Sequence, residues 1–412
     1  MTDVIVIGAG LAGLRAAADL VAAGADVTVL EARDRVGGRV WSHRFADGQV
    51  AERGAEFIDA NHIEVLALAT RLGLDLTHRE SALDPQGTLV DAGGRAVPYN
   101  LHASLADDWA RWEEAVEAMR PTAEFEHLTL QDAIDLLGAS AISRLVIGRE
   151  VRTEFMLPPA HVSQRFAAQI ASVQRADTRE RHRVAGGNDR LATGLAAILG
   201  DRVRLNTAVR SLATDGAVTL ASGHTLTAQW VVAAVPLPVL GRMWPQMPAE
   251  LAAVSYGIGG KISIQFGRRL WRDYGRNGTV LSDRQWGHLW ETTDDQEGDA
   301  GVLTNLLASH DGAAFVSLPE STDHLLREIE RLFPGATGLA GERVRTDWTD
   351  DPFSLGCYTC FGPGQWAAAH DTLRRLHERV VLAGEHADEF AGFMEGALRS
   401  GARAAAQIAA GS

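Results

Sequence analysis

Lysine occurs once in this 412-residue chain, at Lys261; every other member of the 39 lysine and arginine residues is an arginine. Lys261 stands near the start of a strand-like apolar run, Gly259 to Phe266. A charged side chain there needs a partner or a purpose. A buried ammonium can give up its proton, which a guanidinium does not, so Lys261 is a candidate for chemistry. The plainer alternative is an exposed lysine on a strand's polar face. A second group lies at the start of the chain, where Gly8, Gly10 and Gly13 spell G-x-G-x-x-G. The first glycine permits a tight turn, the second lets a pyrophosphate approach the backbone, and the third lets helix and strand pack closely. Glu31 ends the next apolar run, where a carboxylate accepts from ribose hydroxyls and disfavours the 2′-phosphate of NADP. Gly37 and Gly38 allow further close approach, and Arg33 and Arg39 can neutralise a pyrophosphate. Together these features predict a dinucleotide site.

Other chemistries find less support. Cys357 and Cys360, the two cysteines, spell C-x-x-C. A zinc site needs two more ligands, and a thiol redox motif sits at a helix N-terminus after a strand, whereas this pair lies in a glycine-flanked stretch. No serine–histidine–acid constellation is evident and the histidines show no metal-ligand spacing, so no metal is expected.

The elements that position these groups follow from periodicity. Val4 to Ile7 reads as a buried parallel strand, Leu11 to Ala23 as an alanine-rich helix capped at Gly24, and Asp26 to Leu30 as a second strand. This is a βαβ opening. Helical periodicity returns at Glu64 to Leu72, Leu101 to Met119 and Leu130 to Leu137. After a turn at Gly186 comes a helix from Leu191 to Leu199, then strand-like runs at Val203 to Leu205, Ala208 to Leu212 and Trp230 to Ala234. A strand at Val380 to Leu382 precedes a turn at Gly384 and a final helix starting near Met394. The length suits two domains, and 46% hydrophobic residues can bury a large core. No linker separates the domains, so they are expected to interleave. A net charge of −14 excludes nucleic acid and anionic membranes as favoured partners. No apolar run is long enough to span a bilayer, no signal peptide precedes the glycine motif, and the chain closes soon after its last helix. A cytoplasmic protein without a membrane anchor is the expectation.

Read on from Glu31 through Arg33, Gly37, Gly38 and Arg39, the sequence resembles the flavin-containing amine oxidase family, in particular its monoamine oxidase-like, soluble bacterial members. The likeness continues in separated blocks and in the family's order: Gln49 to Asp59, Val184 to Gly187, Val209, Gly259 to Ile264, Trp348, Ser354 to Thr359, Ala383 to His386, Gly392 to Ala397, and Ser400-Gly401. It implies FAD as cofactor. Gly54, Ala55 and Glu56 would then lie near the flavin, and Val209 would touch adenine through its backbone. Gly384 and Glu385 would meet the ribityl-phosphate region, the helix from Met394 would point at the isoalloxazine, and Trp348 would stand close to it. Lys261 matches the family lysine that holds a water at flavin N5 and is tied to oxygen reactivity. Tyr358 and Phe393 match two facing rings that form a cage for the amine nitrogen, although Phe393 stands where a second tyrosine is usual. Cys357 matches a cysteine that carries the flavin through a thioether; here it either forms that bond or packs against the dimethylbenzene edge. His386, beside the Gly384 turn, reads as a satisfied structural histidine, contact with the cofactor being the alternative.

The resemblance implies an α/β protein with a two-domain FAD-linked amine oxidase fold: a Rossmann-like FAD domain from 1–75, 184–250 and 345–412, and a mixed-sheet and helical substrate domain from 76–183 and 251–344. The site would lie at their interface. Hydride would pass from the carbon next to the amine nitrogen to flavin N5, giving an imine, then an aldehyde or ketone, with dioxygen reduced to hydrogen peroxide. Small-molecule amine and dioxygen are the expected partners. The oligomeric state stays open, a homodimer being one option. Three alternatives are carried forward: an L-amino acid oxidase using an arginine such as Arg149, Arg152 or Arg165, an FAD-dependent C–C desaturase, and a flavin-binding scaffold without turnover.

Overall fold

The structure, a computed structural model, describes residues 3–77, 86–174 and 182–411. The expected segments 1–75, 76–183 and 345–412 therefore each include residues outside this set. A five-stranded parallel sheet runs in the order Val380–Leu382, Trp230–Ala233, Val4–Ile7, Val27–Leu30, Val203–Arg204. Its central strand, VIVI, is buried throughout, as is VTVL beside it. Such continuous apolar runs belong to parallel strands covered on both faces. Helix Leu11–Ala22 covers one face, and helix Met394–Gly411 packs along it. Gly401 permits that approach, because a Cβ there would lie 2.4 Å from the Ala12 carbonyl oxygen.

A seven-stranded sheet stands beside the first, in the order Ala340–Asp347, Gly259–Phe266, Gly301–Ala308, His288–Glu291, Val280–Ser282, Leu89–Ala92, Arg95–Pro98. All its pairings are antiparallel except that of Val280–Ser282 with Leu89–Ala92. Helix Ser321–Leu332 lays Leu325, Leu326 and Ile329 into the core over this sheet. Helices Leu105–Ala118, Leu130–Leu136, Ala141–Phe155 and Gln164–Val173 form a layer of their own.

The strands Val4–Ile7, Gly259–Phe266 and Val380–Leu382 occupy the spans that the sequence predicts. The helix expected over Leu101 to Met119 begins only at Leu105, because Tyr99–Leu101 forms a 3-10 turn ahead of it. Helix Ala141–Phe155 and strand Gly301–Ala308 had no clear periodicity. The helix buries Ser143 along with Val146, Ile147, Val151 and Phe155, and the strand is central and covered on both faces, so neither shows a clean polar side. Among the described residues no helix is long and apolar enough to cross a membrane.

The tightest joint in the parallel sheet is at Gly13, where a Cβ would lie 2.0 Å from the Gly8 carbonyl oxygen. Backbone cannot yield as a flexible side chain does, so Gly13→Ala is expected to cost about 3 kcal/mol. Urea unfolding at neutral pH measures this; an unchanged midpoint would show that helix and strand need no glycine to meet.

Candidate active site

One cavity of about 430 Å³ begins at the glycine turn after Val4–Ile7 and reaches the mixed sheet at Lys261 and Trp290. Its volume suits a small-molecule site. At the first end, Gly8 has φ +100° and donates its N–H to the Leu30 carbonyl at 2.8 Å. A Cβ on Gly10 would meet nothing within 4 Å, so this backbone faces open cavity. No side chain caps helix Leu11–Ala22 at Gly10, which leaves a helix N-terminus suited to a phosphate. Gly13 does not line the cavity; its place is the joint beneath. The Glu31 carboxylate accepts from the Ala9 and Arg33 N–H groups at 2.8 and 2.9 Å, and Gly37 donates to the Ala9 carbonyl at 2.8 Å. The glycine turn is thus braced from two sides. Gly38, Ala55 and Val209 also line this region.

The two arginines expected to neutralise a pyrophosphate line the cavity as halves of ion pairs. Arg33 makes a forked contact with Asp351 at 2.8 and 2.5 Å; against the push of burial, that guanidinium holds the Asp351 carboxyl below its usual range. Arg39 donates to the Tyr256 hydroxyl, the Cys357 carbonyl and Glu385 at 2.5, 2.6 and 3.1 Å. Glu385 also accepts from the Gly392 and Thr359 N–H groups at 2.8 and 3.2 Å and from the Tyr256 hydroxyl at 3.1 Å. Burial raises its carboxyl, and Arg39 with these donors outweighs that and lowers it. Glu385 is therefore a hub joining segments around residues 39, 256, 359 and 392.

Beyond this hub the cavity is lined by Gly384, Met394, Trp348 and Cys357. Trp348 donates its indole N–H to the Arg53 carbonyl at 3.0 Å. Burial pushes the Cys357 thiol up to about 12. His386 lines the cavity too, and among the described residues neither ring nitrogen has a hydrogen-bond partner. Burial pushes its pKa down to about 4, so the neutral ring offers one donor and one acceptor. An orphaned buried polar ring, an open backbone at Gly10 and an uncapped helix N-terminus all fit a dinucleotide cofactor.

At the far end Tyr358 and Phe393 both line the cavity. The Tyr358 hydroxyl donates to the Glu154 and Thr153 carbonyls at 2.9 and 3.2 Å, which ties the ring to the end of helix Ala141–Phe155. Phe393 packs against His62, ring centres 5.5 Å apart. Phe155, Met156, Phe166, Ile170 and Leu306 make the neighbouring wall apolar. Lys261 is buried, not on an exposed polar face. Its Nζ donates to the Glu56 carboxylate at 2.7 Å, the Gly54 carbonyl at 2.9 Å and the Glu52 carbonyl at 3.3 Å. Burial alone would raise the Glu56 carboxyl; Lys261 and Arg183 hold it down to about 2. Arg149, Arg152 and Arg165 do not line the cavity. Arg149 donates to the Asp283 and Arg284 carbonyls, Arg152 pairs with Asp311 and Arg165 with Glu126.

The model for flavin containing amine oxidoreductases matches residues 11–409. This chain belongs to that family. A Mycobacterium tuberculosis protein, provisionally named flavin-containing monoamine oxidase AofH, is 31% identical over 442 residues, which cover 99% of this chain and 96% of that one. Human amine oxidase [flavin-containing] B is 25% identical over 451 residues, 98% of this chain and 86% of its own. Among solved structures, wild-type putrescine oxidase bound to putrescine superposes with a TM-score of 0.85 at 24% identity, covering 99% of each chain. Cyclohexylamine oxidase from Brevibacterium oxydans IH-35A gives 0.84 at 24%, covering 100% of this chain and 99% of that one. The α/β amine oxidase fold is thereby shown. As a flavin-containing amine oxidoreductase, the protein is an oxidoreductase with a flavin cofactor that acts on small-molecule amines. Among the described residues no group of three or more histidine, cysteine or acidic side chains is placed to hold a metal ion.

Sequence motifs did not point to Tyr256, Arg183, Trp290 or Thr292, although each bonds a predicted site residue. Tyr256 stands five positions before Lys261, but nothing in its spacing signals a bond to Glu385, 129 residues on.

His386 gives this amine oxidoreductase a pH-dependent stability. Its folded pKa of about 4 lies below the ordinary histidine value of 6.5, so the unfolded chain binds the proton first. Stability from this ring is complete above about pH 6.5 and falls as pH drops toward 4, by ~3 kcal/mol in all. Denaturation at pH 7 and pH 4 should show that fall in the wild type and a smaller one, by about that amount, in His386→Asn. Parallel losses in both proteins would exclude the histidine.

Proposed function

We propose that the protein is an FAD-dependent amine oxidase that dehydrogenates the carbon beside the nitrogen of a small apolar primary or secondary amine, with dioxygen as electron acceptor. The observation that carries this is the continuity of one cavity from the glycine turn to Lys261, Tyr358 and Phe393. Gly8, Gly10 and the N-terminus of helix Leu11–Ala22 take the pyrophosphate. Glu31 faces the ribose while bracing the turn, and the backbone at Val209 meets the adenine. Gly384 and Met394 lie along the ribityl chain and the flavin, with Trp348 beside the ring, while Arg33, Arg39 and Glu385 keep the intervening loops in place. The chemistry that a bound FAD supplies is removal of a hydride equivalent from that carbon and delivery of the electrons to dioxygen, giving hydrogen peroxide and an imine that hydrolyses to an aldehyde or ketone. Tyr358 and Phe393 hold the amine nitrogen between ring faces, the apolar wall excludes water, and Lys261 acts at the flavin in the oxygen reaction. We assign 1–75, 184–250 and the C-terminal segment to the FAD domain and the rest to the substrate domain. The last boundary is placed after Asp347, because strand Ala340–Asp347 pairs in the mixed sheet.

An amino acid substrate is disfavoured, since its carboxylate needs a cation. Among the described residues the arginines that line the cavity are Arg33 and Arg39, and both are already paired, with Asp351 and Glu385. Under anaerobic conditions, apolar primary or secondary amines should bleach the flavin band and amino acids should not. Bleaching by amino acids alone would overturn the assignment. The rate should climb with pH toward the pKa of the amine, because the neutral amine is the one oxidised; a flat profile contradicts that step.

Cys357 bears on how the flavin is held. Its thiol is neutral at pH 7, and the thiolate is the nucleophile, so we favour a thiol packed against the flavin edge. Acid precipitation should then release all of the yellow colour into the supernatant. Colour retained in the pellet, and lost from it in Cys357→Ala, would assign the thioether instead.

A further inference from the structure

Four buried charged side chains form a chain that ends at the cavity wall: Asp295 and Arg183 behind it, Glu56 and Lys261 in it. Their side chains are 3%, 5%, 3% and 8% exposed. Arg183 reaches Asp295 and the Thr292 carbonyl, and lies 3.4 Å from Glu56 Oε1. The same Oε1 accepts from the Thr292 hydroxyl at 2.6 Å and from the Trp290 indole at 3.3 Å. Glu56 Oε2 takes Lys261 at 2.7 Å. The charges alternate and sum to zero, which buried charges require.

We propose that Glu56 is the positioning residue of Lys261: its carboxylate anchors the ammonium at the cavity wall, and Arg183 with Thr292 anchors the carboxylate. The proposal rests on Lys261 acting at the flavin. An ammonium has three hydrogens, and three oxygens converge on Nζ, those of Glu52, Gly54 and Glu56. Two of them are main-chain carbonyls with little freedom. Glu52 lies in a strand paired with Ser42–Arg44, and a Cβ on Gly54 would sit 1.9 Å from the Arg39 carbonyl oxygen. Glu56 alone among the three brings a negative charge. A flat guanidinium does not match such a convergent set as a compact ammonium does, which accounts for a lysine rather than an arginine at position 261. Glu56 thus acts on the flavin through Lys261 and is not itself a catalytic residue.

Because lysine occurs once, ¹⁵N-lysine labelling of the holoenzyme gives a single Nζ signal. In the wild type its protons should exchange slowly enough with water to be seen at pH 7. Glu56→Gln should speed that exchange at least tenfold. Stopped-flow reoxidation of the reduced flavin by dioxygen should slow at least tenfold in Glu56→Gln, with a displaced pH profile. Lys261→Met should show the same loss, and adding Glu56→Gln to it should lower the rate no further. Exchange in the wild type as fast as in free lysine overturns the anchoring. So does a Glu56→Gln effect that persists in the Lys261→Met background. If Lys261→Met reoxidises at the wild-type rate, the role of Lys261 at the flavin falls, and with it the role of Glu56; the Nζ signal separates that failure from a failure of the pairing itself. Should Glu56→Gln not fold, the wild-type signal and Thr292→Val, expected to speed exchange about threefold, carry the test.

Discussion

Charges buried in the wall of a cavity must be paired, and this requirement organises the region between the two sheets. Leaving one carboxylate or ammonium unpaired there would cost several kcal/mol, a large part of the stability of an ordinary domain. The pairs that meet the requirement join segments far apart in the chain. Glu385 draws in Arg39 and Tyr256, Glu56 draws in Lys261 and Arg183, and Asp351 draws in Arg33. Each bond also places a loop of the cavity. Electrostatic satisfaction and site geometry are consequently one problem here. Arg33 and Arg39, which look like free cations in isolation, serve the site by fixing its frame.

This explains which features were legible in the sequence and which were not. The glycine turn, the strand Gly259–Phe266 and the helix starting at Met394 are local facts: spacing, apolar runs and glycine conformation reveal them without knowledge of the rest of the chain. Lys261 was legible through rarity, as one lysine in an apolar strand. Its partner was not, because Glu56 lies 205 residues away and one carboxylate looks like another before the fold joins them. Arg183 and Thr292 were missed for the same reason. His386 read as structural from its place beside a turn; its orphaned ring nitrogens appear only when the surrounding side chains are in position. Helix Ala141–Phe155 was hidden by burial on several sides, yet its final turn and the residue after it supply Thr153, Glu154, Phe155 and Met156 to the cavity.

The two ends of the cavity obey different physics. The glycine end is built of backbone: it presents N–H groups and a helix N-terminus to the cavity, and glycines are needed because a Cβ at Gly8 would collide with the Ala234 carbonyl oxygen at 2.7 Å. The far end works through side-chain surface. Rings and aliphatic groups line it, and the Tyr358 hydroxyl is spent on the carbonyls of helix Ala141–Phe155. Phe393, which also lines this end, carries no hydroxyl, so the polarity of this wall rests on what lies behind the rings.

Lys261 belongs to the far end as well, and its environment bears on why an enzyme of this kind would hold its cation so firmly. A positive charge aimed at a site in advance stabilises developing negative charge without reorganising when the reaction occurs. That benefit requires the cation to stay where it is, and a lysine stem left to itself samples many rotamers. Three oxygens on Nζ remove that freedom, and the Arg183–Asp295 pair behind Glu56 keeps the anchor from turning outward. Glu52, whose carboxyl burial raises to about 7, spends its acceptors on the Asn188 N–H and the Ser42 hydroxyl. It therefore offers Lys261 only its carbonyl, so the carboxylate at the lysine is that of Glu56.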